Sequence, residues 1–122
     1  MARIAIVDDS RLARTFAVAC LRNQGHELIE IDPTSIFDVL KELKQNPPDI
    51  ILMDYLMPSC PGMSLVRTCR EDAAIGHARI LVVTAHHDDD VKERLLHLGA
   101  DGFLHKPFEA QTLLDEVAAL LA

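Results

Sequence analysis

The stretch that decides the fold is Ile50-Ile51-Leu52-Met53-Asp54-Tyr55-Leu56-Met57-Pro58. A run of apolar residues ends on one carboxylate, and Pro58 turns the chain soon after. Such a run is short for a buried helix and suits a strand covered on both faces. Asp54 then stands where the strand leaves its sheet, the edge at which open α/β sheets bind ligands. A carboxylate there is a turn residue, a cation ligand or a nucleophile.

Four other runs share this character. Arg3-Ile4-Ala5-Ile6-Val7 stops at Asp8-Asp9-Ser10, which is good N-cap chemistry for a helix to about Gln24 with Leu12, Phe16, Ala19 and Cys20 at helical spacing and Gly25 as its cap. Glu27 to Ile31 reads as a second strand, near an edge because it carries acidic residues. Thr34 or Ser35 opens a second helix with Ile36, Val39, Leu40 and Leu43 on one stripe, and Pro47-Pro48 ends it. After the loop Pro58 to Gly62, a third helix places Met63, Val66 and Cys69 inward. Ile80 to Thr84 is a fourth strand, followed by a polar helix start at His86 to Asp90 and an inward stripe of Val91, Leu95 and Leu98 capped by Gly99. Gly102 to His105 is a fifth strand ending at Lys106-Pro107. The last helix runs from Glu109 with Leu113, Leu114, Val117, Leu120 and Leu121 at helical spacing.

Five strand–helix units with short connections predict an α/β fold: a doubly wound, flavodoxin-like (βα)5 domain over residues 1–122, with a five-stranded parallel sheet in the order 2-1-3-4-5. Composition agrees. The chain has 122 residues, 49% of them hydrophobic, and a mean hydropathy of +0.13, enough for one core. A net charge of −7 with no basic run argues against direct nucleic-acid binding. No apolar stretch approaches the ~20 residues of a membrane span, and no signal peptide is visible, so a cytoplasmic location is expected. Cys20, Cys60 and Cys69 lack metal-ligand or redox spacing and read as reduced thiols; Cys20 and Cys69 fall in helical patterns, and Cys60 in a turn where a thiol can be exposed.

In a parallel sheet of this order, the residues after each strand share one edge. Asp8 and Asp9, Asp54, Thr84 and Lys106 should therefore converge. Each has an ordinary reading alone: a helix cap, a turn residue, a strand terminus, a surface lysine. Together they crowd three carboxylates against one ammonium, and a hard dication such as Mg²⁺ would relieve the repulsion. With a metal in place, Asp54 can attack phosphorus while Lys106 and the Thr84 hydroxyl stabilise the transferring oxygens.

These residues resemble those of response-regulator receiver domains, close in layout to the stand-alone chemotaxis type. The likeness rests on Asp8-Asp9, Asp54 with Met57-Pro58 and Gly62, Thr84-Ala85, and Gly99-Ala100-Asp101-Gly102-Phe103 running into Lys106-Pro107. It implies that Asp54 is the phosphoacceptor, that Asp9, Asp54 and the Leu56 carbonyl ligate Mg²⁺ directly with Asp8 acting through water, and that Lys106 pairs with the phosphoryl group. It further implies that Thr84 and Phe103 form the switch, that Lys106-Pro107 is cis, and that Leu56 and His86 tune the lifetime of the acyl phosphate. Pro61 stands where the family often has Asp.

The implied function is a phosphorylation-dependent signalling switch that catalyses only its own phosphorylation and dephosphorylation. Its donor would be a phosphohistidine on a histidine kinase or phosphotransfer protein, or a small acyl phosphate. Its output would pass through the face of the fourth helix, fifth strand and fifth helix to a downstream protein, or to a C-terminal effector domain absent from this chain. The last helix carries Glu109, Asp115 and Glu116 but no Lys or Arg, which argues against the salt-bridged dimer of receivers joined to winged-helix DNA-binding domains. The alternatives are a phosphorylation-independent receiver-like interaction module and an Asp-nucleophile phosphatase. The first would be expected to lack the acceptor, the lysine or the acidic pair. The second wants a D-x-D-x-T run that Asp8-Asp9-Ser10 does not supply. A nucleotide or flavin binder would need a glycine-rich phosphate loop after the first strand. The run His86-His87-Asp88-Asp89-Asp90 reads as a solvated helix start rather than a metal site, and His97 and His105 as surface residues.

Overall fold

Alternate residues of a strand face opposite sides of its sheet, and the first strand, β1 (Arg3–Val7), divides the core accordingly. A computed structural model describes residues 2–85 and 87–122 of the chain. Ile4 and Ile6 point to one side, where they meet Ala17 and Leu21 of α1 (Arg11–Leu21) and Leu113 and Val117 of α5 (Ala110–Leu121). Ala5 and Val7 point to the other, under α2 (Ile36–Gln45), α3 (Gly62–Glu71) and α4 (Asp89–Leu98). The remaining strands are β2 (Glu27–Ile31), β3 (Ile50–Asp54), β4 (Arg79–Thr84) and β5 (Gly102–His105). All pairings are parallel and the order is β2-β1-β3-β4-β5. The expected fold is therefore the observed one, with β2 at an edge.

Register fixes the functional rim. Val7 is level with Met53, so Asp8 and Asp54 leave the sheet side by side. Asp54 is level with Val83, and Thr84 with His105, so Thr84 and Lys106 follow on the same edge.

Helix ends obey local chemistry. Ser10 caps α1 by accepting from Ala13 N–H, Ser35 caps α2 by accepting from Asp38 N–H, and Asp88 caps α4 by accepting from Asp90 and Val91 N–H. Gly99, at φ 121°, closes α4 with its N–H bonded to Leu95 and Leu96 carbonyls.

Four expectations need correction. The first helix stops at Leu21 rather than near Gln24, because Asn23 turns to φ 68°. Its buried face is Ala17 and Leu21, while Leu12 and Phe16 are 81% and 45% exposed. Ala17 and Leu21 pack into the core beneath the sheet, and Leu12 and Phe16 line the cleft beside the rim instead. Leu121, in the last turn of α5, is exposed as well. Cys60 is fully buried, not at the surface, because the loop after β3 folds inward with Met57 and Cys60 beneath it and Cys60 N–H bonded to the Met57 carbonyl.

Candidate functional site

Asp54 ends β3 with its side chain only 12% exposed. Burial pushes its carboxyl above the ordinary aspartate range; Lys106 pulls it back down, and Asp8 and then Asp9 push it up again. Lys106 Nζ lies 3.3 Å from Asp54 Oδ1 and 3.4 Å from Asp8 Oδ2. Asp8, Asp9 and Asp54 each offer an oxygen within 4.8 Å of the others. Asp8 is buried and Asp9 exposed, so the cluster opens to solvent on the Asp9 side. All these donors are hard carboxylate oxygens, and one ammonium offsets only part of their charge. That donor set suits a small divalent cation that keeps several waters.

Local structure aims these groups. Asp8 Oδ1 accepts from Ser10 N–H at 2.9 Å, which turns Oδ2 toward Lys106. The loop after Asp54 closes where Gly62 N–H bonds to the Tyr55 carbonyl at 3.1 Å. A Cβ on Gly62 would stand 2.9 Å from that same oxygen, so the close return demands glycine. The loop forms this way with Pro61 preceding Gly62. Leu56 protrudes from it, with its backbone two residues beyond Asp54. Lys106-Pro107 is cis.

The other expected residues fall nearby. Thr84 ends β4 on the same rim and is buried. Phe103 on β5 is half-buried against the α2–α4 core, with Lys92 Nζ 5.4 Å from its ring centroid. His86 lies outside the described residues. On the opposite side of Asp54, a cleft of about 630 Å³ runs between α1 and the segment after β5, with Asp8, Asp54 and Lys106 at one end and Leu12, Phe16 and Phe108 along it.

Sequence reasoning passed over Arg14. Its Nη1 donates to the Asp8 carbonyl at 2.6 Å, and its side chain is 12% exposed. A signal existed: arginines at positions 11 and 14 open a helix whose dipole disfavours cations there.

Comparison with known proteins agrees with this architecture. A family model described as the response regulator receiver domain matches residues 4–118. Protein PilH of Pseudomonas aeruginosa is 33% identical over 122 residues, covering 100% of this chain and 99% of that protein. The phosphate regulon transcriptional regulatory protein PhoB of the same organism is 30% identical over 118 residues, and the chain spans about half (51%) of its length. Among solved structures, chemotaxis protein CheY4 of Vibrio cholerae superposes with a TM-score of 0.90 at 28% identity over 98% of each chain. With this fold, this rim and a family match over nearly its whole length, the chain belongs to the response regulator receiver domains, the signalling domains of two-component systems.

Proposed function

We propose that the domain is a switch in which Asp54 accepts a phosphoryl group from a phosphohistidine of a histidine kinase or phosphotransfer protein. The observation that carries this reading is the placement of Lys106 Nζ between Asp54 and Asp8, 3.3 and 3.4 Å from their oxygens, in a group that Asp9 completes. An Asp54 oxygen attacks phosphorus, the P–N bond to the donor imidazole breaks with its electron pair staying on nitrogen, and a mixed anhydride remains on Asp54. Asp9, Asp54 and the Leu56 carbonyl would hold Mg²⁺ directly, with Asp8 acting through water. The ion supplies charge stabilisation at the phosphoryl oxygens. Lys106 draws Asp54 toward its ionised form and is placed to pair with the incoming phosphoryl oxygens. Thr84, on the same rim, would donate its hydroxyl to them. Water later attacks the acyl phosphate and restores the carboxylate, at a rate we assign in part to the exposed Leu56 beside the site.

Output would pass through the face of α4, β5 and α5. Movement of Thr84 toward the phosphoryl group frees space for Phe103 to turn inward, a population shift between two arrangements. The chain's acidic balance supports a protein rather than a nucleic acid as the receiver of that signal.

The test is mass spectrometry after incubation with acetyl phosphate and Mg²⁺. One added phosphoryl group on the peptide containing Asp54, absent in Asp54→Asn, is expected. No adduct, or an adduct elsewhere, would favour an interaction module that works without phosphorylation.

A further inference from the structure

Arg14 sits in the opening turn of α1, where the helix dipole works against a cation. Its side chain is 12% exposed, so it also gives up most of its hydration. Both costs need compensation, and the contacts show where it comes from. Nη1 donates to the Asp8 carbonyl at 2.6 Å and lies 3.9 Å from Asp32 Oδ1, while Nε lies 3.6 Å from Glu30 Oε1. Only the first of these touches the acidic cluster, and it does so through the backbone.

That backbone oxygen is a sensitive place to hold. The Asp8 carbonyl lies in one rigid plane with the Asp9 nitrogen and Cα. Asp9 Cα lies in that plane, so a turn of the plane about Asp8 ψ carries Asp9 and its carboxylate with it. Asp8 has other restraints: its N–H reaches the Ile31 carbonyl at 3.4 Å, and its Oδ1 accepts from Ser10. Asp9 is exposed, and among the described residues no hydrogen bond or ion pair holds its side chain. Its aim therefore depends on the peptide plane that Arg14 grips.

We propose that Arg14 is a positioning residue for the cation site: it orients the Asp8–Asp9 peptide so that the Asp9 carboxylate faces Asp54, while Glu30 and Asp32 offset the cost of burying its charge. This rests on the reading of Asp8, Asp9 and Asp54 as a Mg²⁺ site. Groups one step removed from metal ligands commonly change affinity about 10- to 100-fold when removed.

The experiment uses Mg²⁺ alone as the probe, with affinity read from the metal-dependent rise in Tm at about 0.15 M salt. Arg14→Met keeps the apolar stem and removes the donor; its Mg²⁺ Kd is expected to rise about tenfold. Arg14→Lys, which restores one cationic donor without the planar fork, is expected to fall between. A double variant, Glu30→Gln with Asp32→Asn, removes the ion pairs but leaves the carbonyl grip; it should lower the metal-free Tm and leave the Kd within about twofold. An Arg14→Met Kd equal to wild type would overturn the proposal, as would equal weakening in the double variant. If Arg14→Met does not fold, the Arg14→Lys Kd decides by the same criterion. Wild-type protein that binds no Mg²⁺ would instead overturn the metal-site reading beneath it.

Discussion

Lys92 Nζ stands 5.4 Å from the centroid of the Phe103 ring, so a cation from α4 lies against the aromatic of β5 that the switch would move. The hollow bordered by Thr84, Val91, Leu95 and Phe103 is only about 10 Å³, too small to take a phenyl ring. Two things would therefore oppose an inward rotation: the lack of room beside Thr84, and the attraction of Lys92 for the ring. An exposed cation–π contact is worth about 0.5–1 kcal/mol. Lys92→Met should raise the inward population of Phe103 in the unphosphorylated protein about two- to fivefold. With fluorophenylalanine at the chain's four Phe positions, the ¹⁹F line of Phe103 should move toward its phosphorylated position. A line unmoved by Lys92→Met would show that the contact does not hold the ring.

Asp54 carries a penalty that pH can reveal. Its folded-state pKa is raised above the ordinary 3.8 by burial, against the pull of Lys106. The folded protein thus binds this proton more tightly than the unfolded chain, so stability falls as pH rises from about 3.8 through the raised value and stays reduced above it. Without metal, Asp54→Asn should raise Tm at neutral pH by a few degrees, the effect of about 1 kcal/mol in a domain of this size. The gain should shrink toward acid pH. Thermal melts in EDTA across this range provide the check; a lower Tm for Asp54→Asn at neutral pH would mean that its pairing with Lys106 outweighs burial and repulsion.

The strands were legible because parallel strands buried on both faces must be apolar throughout. Runs such as Ile50 to Met53 and Ile80 to Val83 have no other comfortable place. Once the strands and their order are known, register alone brings Asp8, Asp54, Thr84 and Lys106 to one rim, which is why the site was legible too. The face of α1 was not. Helical spacing says that Leu12 and Phe16 share a stripe, but Ala13, Ala17 and Leu21 form another, and only the tertiary packing decides which is covered. Cys60 was misread because loop sequence does not say which way a turn folds. Arg14 was missed because its role runs through a backbone oxygen, and a contact of that kind leaves no spacing pattern in side-chain chemistry.

Lys106 neutralises part of the repulsion in the acidic cluster and occupies the ground between Asp8 and Asp54. Removing it has two opposite consequences. In Lys106→Met without metal, the carboxylates face each other unscreened, and stability at neutral pH should drop by about 1–2 kcal/mol. Mg²⁺ then meets no competing cation, so its affinity should rise severalfold. Metal-dependent Tm shifts read the affinity. Weaker Mg²⁺ binding in Lys106→Met would show that the lysine organises the ligands rather than competing for them.

The three thiols should differ in reactivity. Cys60 and Cys69 are fully buried, and burial pushes their thiols to about 11 and about 12. Cys20 is half-buried, and its thiol is raised less strongly by the same cause. Since the thiolate is the attacking species, iodoacetamide at mildly alkaline pH should modify Cys20 alone in the native protein and all three cysteines after denaturation. Peptide mapping gives the answer, and rapid native modification of Cys60 would contradict the inward fold of the loop after β3.

Phe16 of α1 and Phe108 beyond β5 meet with ring centroids 5.6 Å apart and planes tilted by 56°. With Leu12 they line the cleft that leads to Asp54 and Lys106. A small acyl phosphate needs nothing from this wall, whereas a protein donor delivering a phosphohistidine to Asp54 would have to rest on the surface around the site. Phe16 is 45% exposed, so Phe16→Ala should cost little stability. Removal of a central aromatic from a protein interface commonly costs about 2 kcal/mol or more, so transfer from a phosphohistidine protein should slow by at least about tenfold. The rate with acetyl phosphate should stay within about twofold of wild type. Measuring both donors in parallel separates docking from chemistry: a matched fall would place Phe16 in support of Asp54 itself, and no fall with either would move the docking surface away from α1.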